Sequence, residues 1–351
     1  MEFSVQLSSD YPDKNYGGEK VYQDMIDQAI LADQLGFDAV SITEHHLINC
    51  LMMPAPLQFA VKIAAHTKNI KIMTSVVVLP LHDMRTYAGE VVVADIFTEG
   101  RLLLGVGRGA FKYEIERLGI PMEETQERFE ESVEVLKALL AKEEVSWNGK
   151  YYKFDSLTIM PRPIHPNGPQ MMMAVMQPER IYNATKRGFH IQTTPLSGSH
   201  QFLVDQVSSF NKAKNEMGQF GKDLTLSLSR VAFLAQSEKE KEERIKEANA
   251  YYSRFDNVYT GPGIVENGMI KPLPRKQTID ELAESLLICT KQEMIEKLKP
   301  YADLGIDRVI LNINFGTNAK KILDSLKRFA EDVMPHFSTK SKTKISKRAN
   351  G

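Results

Sequence analysis

Short apolar runs alternate with amphipathic stretches along most of the chain. FSVQLS (3–8) and DAVSIT (38–43) have the length and composition of strands, whereas apolar residues between positions 22 and 32 recur at helical spacing before Gly36. This switch of period predicts a strand followed by a helix. The same switch is repeated along the chain as far as the C-terminal region. This repetition favours stacked βα units over a sandwich or a bundle.

Eight apolar runs are interpreted as strands, at 3–8, 38–43, 70–80, 101–107, 171–176, 189–194, 224–235 and 306–315. Helices are predicted between them, at about 54–67 and 85–98, along the stripe Phe129, Val133, Leu136 and Leu140, from Pro178, from about His200, in the charged stretch before residue 256, along Met294, Ile295, Leu298 and Tyr301, and along Ile322, Leu326, Phe329 and Val333. Eight such pairs predict one (β/α)8 TIM barrel over residues 1–337. A doubly wound open sheet is the alternative.

Three segments depart from this rhythm. Residues 147–169 are rich in aromatic residues, Gly and Pro and predict an excursion with a small hairpin. Residues 256–277 are rich in Gly and Pro and predict a lid loop. Residues 338–351 form a basic tail, which we expect to be disordered and solvated, with a weak anionic docking site as the alternative.

Composition excludes several classes of protein. The chain has 42% hydrophobic and 25% charged residues, and no apolar run approaches the roughly 18 residues that a membrane span needs. Its net charge is −1, but five basic residues and no acid lie in the last twelve positions, so the remainder carries −6. Nucleic acid is therefore not an expected partner.

The N-terminal stretch and the cysteine content indicate the compartment. MEFSVQLSSDYPDK lacks the basic start and apolar core of a secretory signal, which predicts a cytoplasmic protein. The two cysteines, Cys50 and Cys289, are too few for a disulfide framework or a cysteine-based zinc site.

The sequence SITEHHL (41–47) places Glu44, His45 and His46 at the end of the second strand. Catalytic groups of such barrels lie at the C-terminal ends of the strands, and alternation along this strand points His45 into the barrel mouth. A histidine that caps the strand through a backbone hydrogen bond is the alternative. A zinc site is disfavoured, because it needs three or four converging ligands and adjacent side chains on a strand point apart.

Two further strand ends suggest anion binding. GVGRGAF (105–111) combines a glycine-rich backbone with Arg108, although its spacing is not that of a dinucleotide fingerprint. The fifth strand leads into a helix at Pro178, where free amides near Gln177 and Arg180 would attract phosphate.

Together these residues resemble the bacterial luciferase-like flavin monooxygenase family, whose members are (β/α)8 barrels. The matching stretches are LADQLGFDAVSITEHH (31–46), IMTSVVVLPLHDMRTYAGEVVVADIFTEGRLLLGVGRGAF (72–111), WNGKYYKFDSLTIMPRP (147–163), YADLGIDRVILNI (301–313) and FAEDVMP (329–335). They span nearly the whole chain in order, and their combination is specific.

The resemblance implies an enzyme that uses FMN in its reduced form. A separate flavin reductase would supply the reduced FMN, because the sequence shows no NAD(P)-binding segment of its own. The reduced FMN would react with O2 to a C4a-hydroperoxide and deliver one oxygen to a small apolar substrate such as an aldehyde, a ketone or a terpene. A homodimer or heterodimer is also expected, with the apolar helix stretch VVVADIF (91–97) as a candidate interface.

The same resemblance assigns the site residues. His45 and His46 match the catalytic histidine pair. Ser75 and Val76 fall where the family often has a non-prolyl cis peptide under the flavin ring. Cofactor contacts are expected from Glu44, Ser75, Val76, Arg108, Ala174, Met176, Gln177 and Arg180. Substrate contacts are expected from Met73, His82, Phe111 and Tyr113. No metal is expected.

Two departures and two alternatives remain. Gly107 stands where luciferase has a reactive cysteine, and the end of the fifth strand lacks the luciferase glutamate, so light emission is not expected. A reductase that uses the deazaflavin F420 is the first alternative function. A flavin-binding subunit without catalysis is the second.

Overall fold

Eight parallel strands form a closed barrel in a computed structural model, which describes residues 1–196 and 199–337 of the chain. We number the barrel strands β1 Glu2–Gln6, β2 Ala39–Ile42, β3 Lys71–Thr74, β4 Leu102–Gly107, β5 Gln170–Ala174, β6 His190–Thr193, β7 Leu226–Leu234 and β8 Arg308–Asn312. Each strand pairs with the next in chain order, and Ser4 of β1 pairs with Ile310 of β8, which closes the ring. The predicted (β/α)8 TIM barrel is confirmed, and the open sheet is wrong.

Helices surround the barrel and follow the strands in the predicted order. They are α1 Gly18–Leu35, α2 Pro56–Ala64, α3 Met84–Phe97, α4 Lys112–Arg117, α5 Thr125–Ala141, α6 Pro178–Lys186, α7 His200–Met217, α8 Glu238–Tyr259, α9 Ile279–Ser285, α10 Lys291–Asp303 and α11 Ala319–Asp332. Gly36 ends α1 in the left-handed conformation, as its position in the pattern predicts.

The apolar side chains form three buried clusters. The largest lies between the outer faces of the strands and the helices. A second packs α8 and α9 onto the C-terminal rim of the barrel. The third is a small layer inside the barrel, made of Met73, Leu103, Met172 and Ile310. This inner layer closes the barrel below the rim, so a ligand must bind above it.

The third strand is shorter than the sequence pattern indicates. The run 70–80 is strand only as far as Thr74, and the Ser75–Val76 peptide that follows is cis. The chain then pairs with β4 again at Val77–Val78 and makes a short helical turn at Leu79–Leu81. Apolar character alone does not reveal this break, since most side chains in the run are buried.

Three other elements were not expected from the pattern. Leu287–Cys289 forms a parallel strand on the C-terminal half of β7. The short helices α4 and α9 lie in stretches for which the sequence pattern predicts no regular element. Neither helix is long enough to show a clear apolar period.

The insertions differ in how far they follow the prediction. The excursion contains the expected hairpin, with strands Val145–Asn148 and Lys153–Leu157. Helix α8 occupies the first part of the predicted lid, up to Tyr259, and a hairpin of Val265–Glu266 and Met269–Ile270 follows. A lid role for this segment stays a prediction. The basic tail at 338–351 lies outside the described residues.

The outer surface bears on two further expectations. Val93, Ile96 and Phe97 of α3 are exposed, Phe97 by 62%, while Val91 and Val92 are buried. A dimer through this face stays a prediction. Among the helices of residues 1–196 and 199–337, none combines the length and apolar content needed to cross a bilayer.

The barrel leaves no room for a side chain at Gly105. A Cβ atom there would lie 1.9 Å from the Thr74 carbonyl oxygen and 2.8 Å from the Met172 Cε. We therefore expect Gly105→Ala to lower the free energy of unfolding by about 1–3 kcal/mol or more, measured by urea denaturation. Gly89→Ala in α3 is the control, because a Cβ there meets nothing within 4 Å. Equal stability of the two variants would contradict the packing described.

Candidate active site

A large cavity opens at the C-terminal ends of the barrel strands. Its volume is about 880 Å³, and its walls come from the ends of β1 to β8 together with α5, α6 and α8. His45, which follows β2, and Arg108, which follows β4, both line it. The barrel thus brings two residues that are far apart in sequence to one rim.

His45 is held on two sides. Its ring stacks on Phe111 with centroids 4.2 Å apart, and its Nδ1 lies 2.7 Å from the Oε1 of Glu114. Glu114 lies in the first turn of α4 and is buried. A carboxylate at Nδ1 favours the tautomer with the proton there, which leaves Nε2 to accept or release a proton.

Glu114 also fixes the backbone next to His45. Its second oxygen, Oε2, accepts a hydrogen bond of 2.7 Å from the His46 N–H. One buried carboxylate therefore orients both the imidazole ring of His45 and the turn that carries it. Sequence reasoning missed this residue, and its one signal is an acidic position three residues after GVGRGAF.

Glu44 is the centre of a second polar network. Its Oε1 lies 2.8 Å from Nε2 of His46 and 2.9 Å from Nε2 of His82, and its Oε2 accepts a hydrogen bond of 2.7 Å from the Val78 N–H. Burial acts to raise the pKa of Glu44, but the hydrogen bonds from His46 and His82 outweigh it and the pKa is lowered. The hydrogen bond to Glu44 in turn raises the pKa of His46.

Cationic side chains line the part of the cavity between β4 and α6. Arg108 donates to Thr125 Oγ1 at 3.2 Å, and Arg180 donates to Gln126 Oε1 at 3.3 Å. Within the described residues neither guanidinium forms an ion pair with a carboxylate. Arg187 differs, because it pairs with Glu130 at 2.8 Å and Glu134 at 2.7 Å. Arg108 and Arg180 thus keep positive charge available for an anion.

Helix α8 supplies an aromatic wall, which we define as Tyr251, Tyr252, Phe255 and Tyr259. Phe255 and Tyr259 lie 5.6 and 6.1 Å from the ring of Phe111, which stacks on His45. The helix is tied to the barrel by Arg254, whose Nη2 lies 2.6 Å from Oδ2 of Asp10 after β1. The wall therefore extends the apolar surroundings of the imidazole.

The structure brings most of the predicted site residues together. Those that line the cavity are Glu44, His45, Ser75, Val76, Arg108, Phe111, Ala174, Met176, Gln177 and Arg180. The Ser75–Val76 peptide is cis, at the position that the family resemblance indicates. Ser75 Oγ donates to Gln192 Oε1 at 2.8 Å, which joins the ends of β3 and β6.

Four predicted site residues do not line the cavity. His46 points away from it to Glu44, as expected for a neighbour of His45 on an extended backbone. His82 binds Glu44 and stacks on Tyr87 at 4.3 Å. Met73 is buried in the inner layer below the rim. The guanidinium of Arg117 covers Tyr113, with its Cζ 3.7 Å from the centre of the tyrosine ring. The substrate contacts expected from Met73, His82 and Tyr113 are thus corrected.

Metal binding has no support in the part of the chain described. In residues 1–196 and 199–337, no group of three or more histidine, cysteine, aspartate or glutamate side chains is arranged to hold an ion. Glu44, His46 and His82 instead satisfy one another through hydrogen bonds.

Comparison with known proteins fixes the family. The model of the luciferase-like monooxygenase family matches residues 1–308. The chain belongs to this family. The luciferase-like fold is shared by a monooxygenase from Streptomyces bottropensis, with a TM-score of 0.84 and 22% identity, covering 96% of this chain and 100% of that one. It is also shared by the oxygenating constituent of 3,6-diketocamphane monooxygenase from Pseudomonas putida, solved with FMN, with a TM-score of 0.76, 18% identity and coverage of 96% and 99%.

Curated relatives of this luciferase-like chain include two kinds of enzyme. The oxygenase component of the flavin-dependent trigonelline monooxygenase of Acinetobacter baylyi is 27% identical over 347 residues, which is 96% of each chain. The F420-dependent glucose-6-phosphate dehydrogenase of Amycolatopsis mediterranei is 23% identical over 322 residues, 89% of this chain and 94% of that protein. Family membership therefore leaves the cofactor open.

The hydrogen bond between Glu44 and His46 makes a direct prediction for Glu44→Gln. The neutral amide cannot stabilise the imidazolium, so the pKa of His46 should fall toward its ordinary value of 6.5. The measurement is an NMR titration of the histidine ring protons, assigned with a His46→Gln variant. Glu116→Gln is the control, because Glu116 is an exposed residue of α4, and it should leave the titration of His46 unchanged. A wild-type titration of His46 in Glu44→Gln would contradict the network.

Proposed function

We propose that the protein is a flavin-dependent monooxygenase that uses reduced FMN and O2 to oxygenate a small organic molecule. The observation that supports this most is the joint placement of the His45–Glu114 pair and the available guanidiniums of Arg108 and Arg180 around one cavity. A proton-transfer group and an anion-binding group at one rim suit a phosphate-bearing redox cofactor.

The cavity residues fit FMN. The volume of about 880 Å³ lies at the upper end of small-molecule sites and leaves space for a substrate beside the flavin. Two residues that line it, Asn312 and Thr193, each have a buried side-chain oxygen (Oδ1 and Oγ1) that finds no hydrogen-bond partner among residues 1–196 and 199–337. Arg108 and Arg180 would hold the phosphate, with the chain at 174–177 and the Ser75–Val76 peptide beside the ring. Bound in its reduced form, FMN would supply the electrons for the reduction of O2.

The side chains around His45 would manage protons and water. His45 lines the cavity, and its Nε2, the ring nitrogen that does not contact Glu114, would hold or release one proton during oxygen transfer, while Glu114 keeps the ring in one tautomer and orientation. Phe111 and the aromatic wall would exclude water from the same region. Glu44, His46 and His82 would position the turn and not contact the reacting atoms.

Reduced FMN would come from a separate flavin reductase. The relative from Acinetobacter baylyi is described as an oxygenase component, and 96% of its length is matched here. We propose the same two-component organisation for this chain. The F420-dependent relatives favour one competing function, a hydride transfer with deazaflavin, which does not activate O2.

Replacement of His45 should lower oxygenation without loss of FMN. We expect His45→Ala to reduce substrate-dependent oxygen uptake about 10²- to 10⁴-fold, since it removes the proton-transfer group. Glu114→Gln should reduce it about 10- to 100-fold and change its pH profile, because the amide cannot orient the ring in the same way. The assay combines a flavin reductase, FMN and a screen of apolar and polar organic substrates.

Glu116→Gln, on the same helix but exposed, is the matched control and should keep wild-type rates. Wild-type turnover in His45→Ala would remove His45 from the mechanism. FMN that binds without any oxygen uptake in the screen would favour a non-catalytic flavin subunit.

Arg108 makes a separate prediction for cofactor affinity. Arg108→Gln should weaken FMN binding about 10- to 100-fold through loss of a charge-assisted hydrogen bond to phosphate, measured by quenching of flavin fluorescence. The control is Arg117→Gln, whose side chain lies over Tyr113 outside the cavity. Riboflavin, which lacks the phosphate, should bind both forms alike. Equal FMN affinity in Arg108→Gln and wild type would contradict the phosphate role, and tight binding of F420 instead of FMN would favour the hydride-transfer alternative.

A further inference from the structure

The cavity contains a further cationic side chain, Arg230, which the proposed binding of FMN does not use. Arg230 lies on β7, lines the cavity and is half-buried. Its Nη2 donates to the Ser285 carbonyl oxygen, while its Nε is buried and has no hydrogen-bond partner in the part of the chain that the structure describes. Within the described residues it forms no ion pair. A partly desolvated guanidinium that lacks an anion is costly, so an anionic ligand would stabilise this arrangement.

Two other charged groups at or beside the cavity already have partners. Arg275, over the ring of Tyr252, pairs with Asp256 at 2.9 Å. Glu44 has its carboxylate occupied by two histidines and a backbone amide. Arg230, on the β7 side of the cavity, is therefore a cation whose charge the described residues leave unbalanced, as they do for Arg108 and Arg180.

Arg230 is also separate from the proposed phosphate region. Arg108 follows β4, and β7 lies three strands further around the ring. The two guanidiniums thus belong to different strands of the ring. A phosphate held by Arg108 and Arg180 would leave Arg230 for a second anion.

The surroundings of Arg230 are aromatic. The ring of His45 stacks on Phe111, and edge-to-face contacts lead from Phe111 to Phe255, with centroids 5.6 Å apart, and from Phe255 to Tyr252, 6.1 Å apart. Tyr252 and Arg230 line the same cavity. An aromatic ring packed on this wall could place a carboxylate at Arg230 and a ring carbon toward His45.

We infer that Arg230 binds the carboxylate of the substrate and that the substrate class is planar aromatic or heteroaromatic carboxylates. This inference rests on the proposed function, since it takes the phosphate region to belong to FMN. It replaces the wholly apolar substrate expected from the family resemblance with an anionic one.

The test compares acids with their neutral amides. Isothermal titration calorimetry on the protein with and without FMN would use benzoate against benzamide and nicotinate against nicotinamide. We expect at least one acid of the panel to bind wild type about tenfold tighter than its amide, because only the acid forms a charge-assisted contact. Arg230→Gln should remove that difference, Arg230→Lys should keep part of it, and Arg85→Gln on the outer surface should retain it.

Several results would overturn the inference. They are equal binding of each acid and its amide, no binding of any acid, and loss of FMN affinity in Arg230→Gln, which would assign the residue to the cofactor. Unchanged FMN affinity in this variant would also show that it folds. If the protein prefers the acids but does not bind FMN, the carboxylate role of Arg230 is supported and the flavin function is refuted. If it turns over neutral substrates with FMN and shows no preference for acids, the flavin function is supported and the carboxylate role of Arg230 is refuted.

Discussion

A single buried carboxylate at the end of β2 holds the rim of this barrel together. Glu44 binds side chains from its own turn and from the turn after the Leu79–Leu81 segment, and it binds the backbone of the short strand that follows the cis peptide. A buried charge is tolerated when every oxygen has a donor, and removal of one partner from such a network typically costs about 3–5 kcal/mol. This network joins the turn after β2 to the segment after the cis peptide, and within that turn Glu114 and Phe111 hold the ring of His45.

The parts of the site that were predictable follow from the geometry of parallel strands. Carboxyl ends of neighbouring strands meet at one rim, so polar residues directly after β2 and β4 had to lie close together whatever the loops did. That argument places His45 and Arg108 correctly on the cavity. It also places Gln177 and Arg180, because Pro178 begins a helix directly after β5.

The residues that sequence reasoning missed or misplaced depend on contacts that no local pattern contains. Glu114 lies 69 positions from its partner His45, on a helix too short to show a period. Histidine is a residue type that often lines substrate pockets, but the ring of His82 instead forms a hydrogen bond with Glu44. Met73 faces inward as expected, yet one layer too deep. Arg230 lies within an apolar strand, where a lone charge reads as an interruption.

Helix α8 carries the aromatic wall of the cavity, whereas the other proposed site residues lie on the barrel strands and the segments that follow them. The aromatic wall lies on one helix, which is fastened to the barrel by the Arg254–Asp10 ion pair and by the hydrogen bond from Thr317 to Glu247. The residues proposed for proton transfer and phosphate binding lie instead on the segments that follow β2, β4 and β5. Exchange of side chains along one face of this helix would alter which molecules are accepted and leave the reaction machinery intact. Substitutions on this helix could therefore change the range of substrates during evolution without changes in the strands that carry the other site residues.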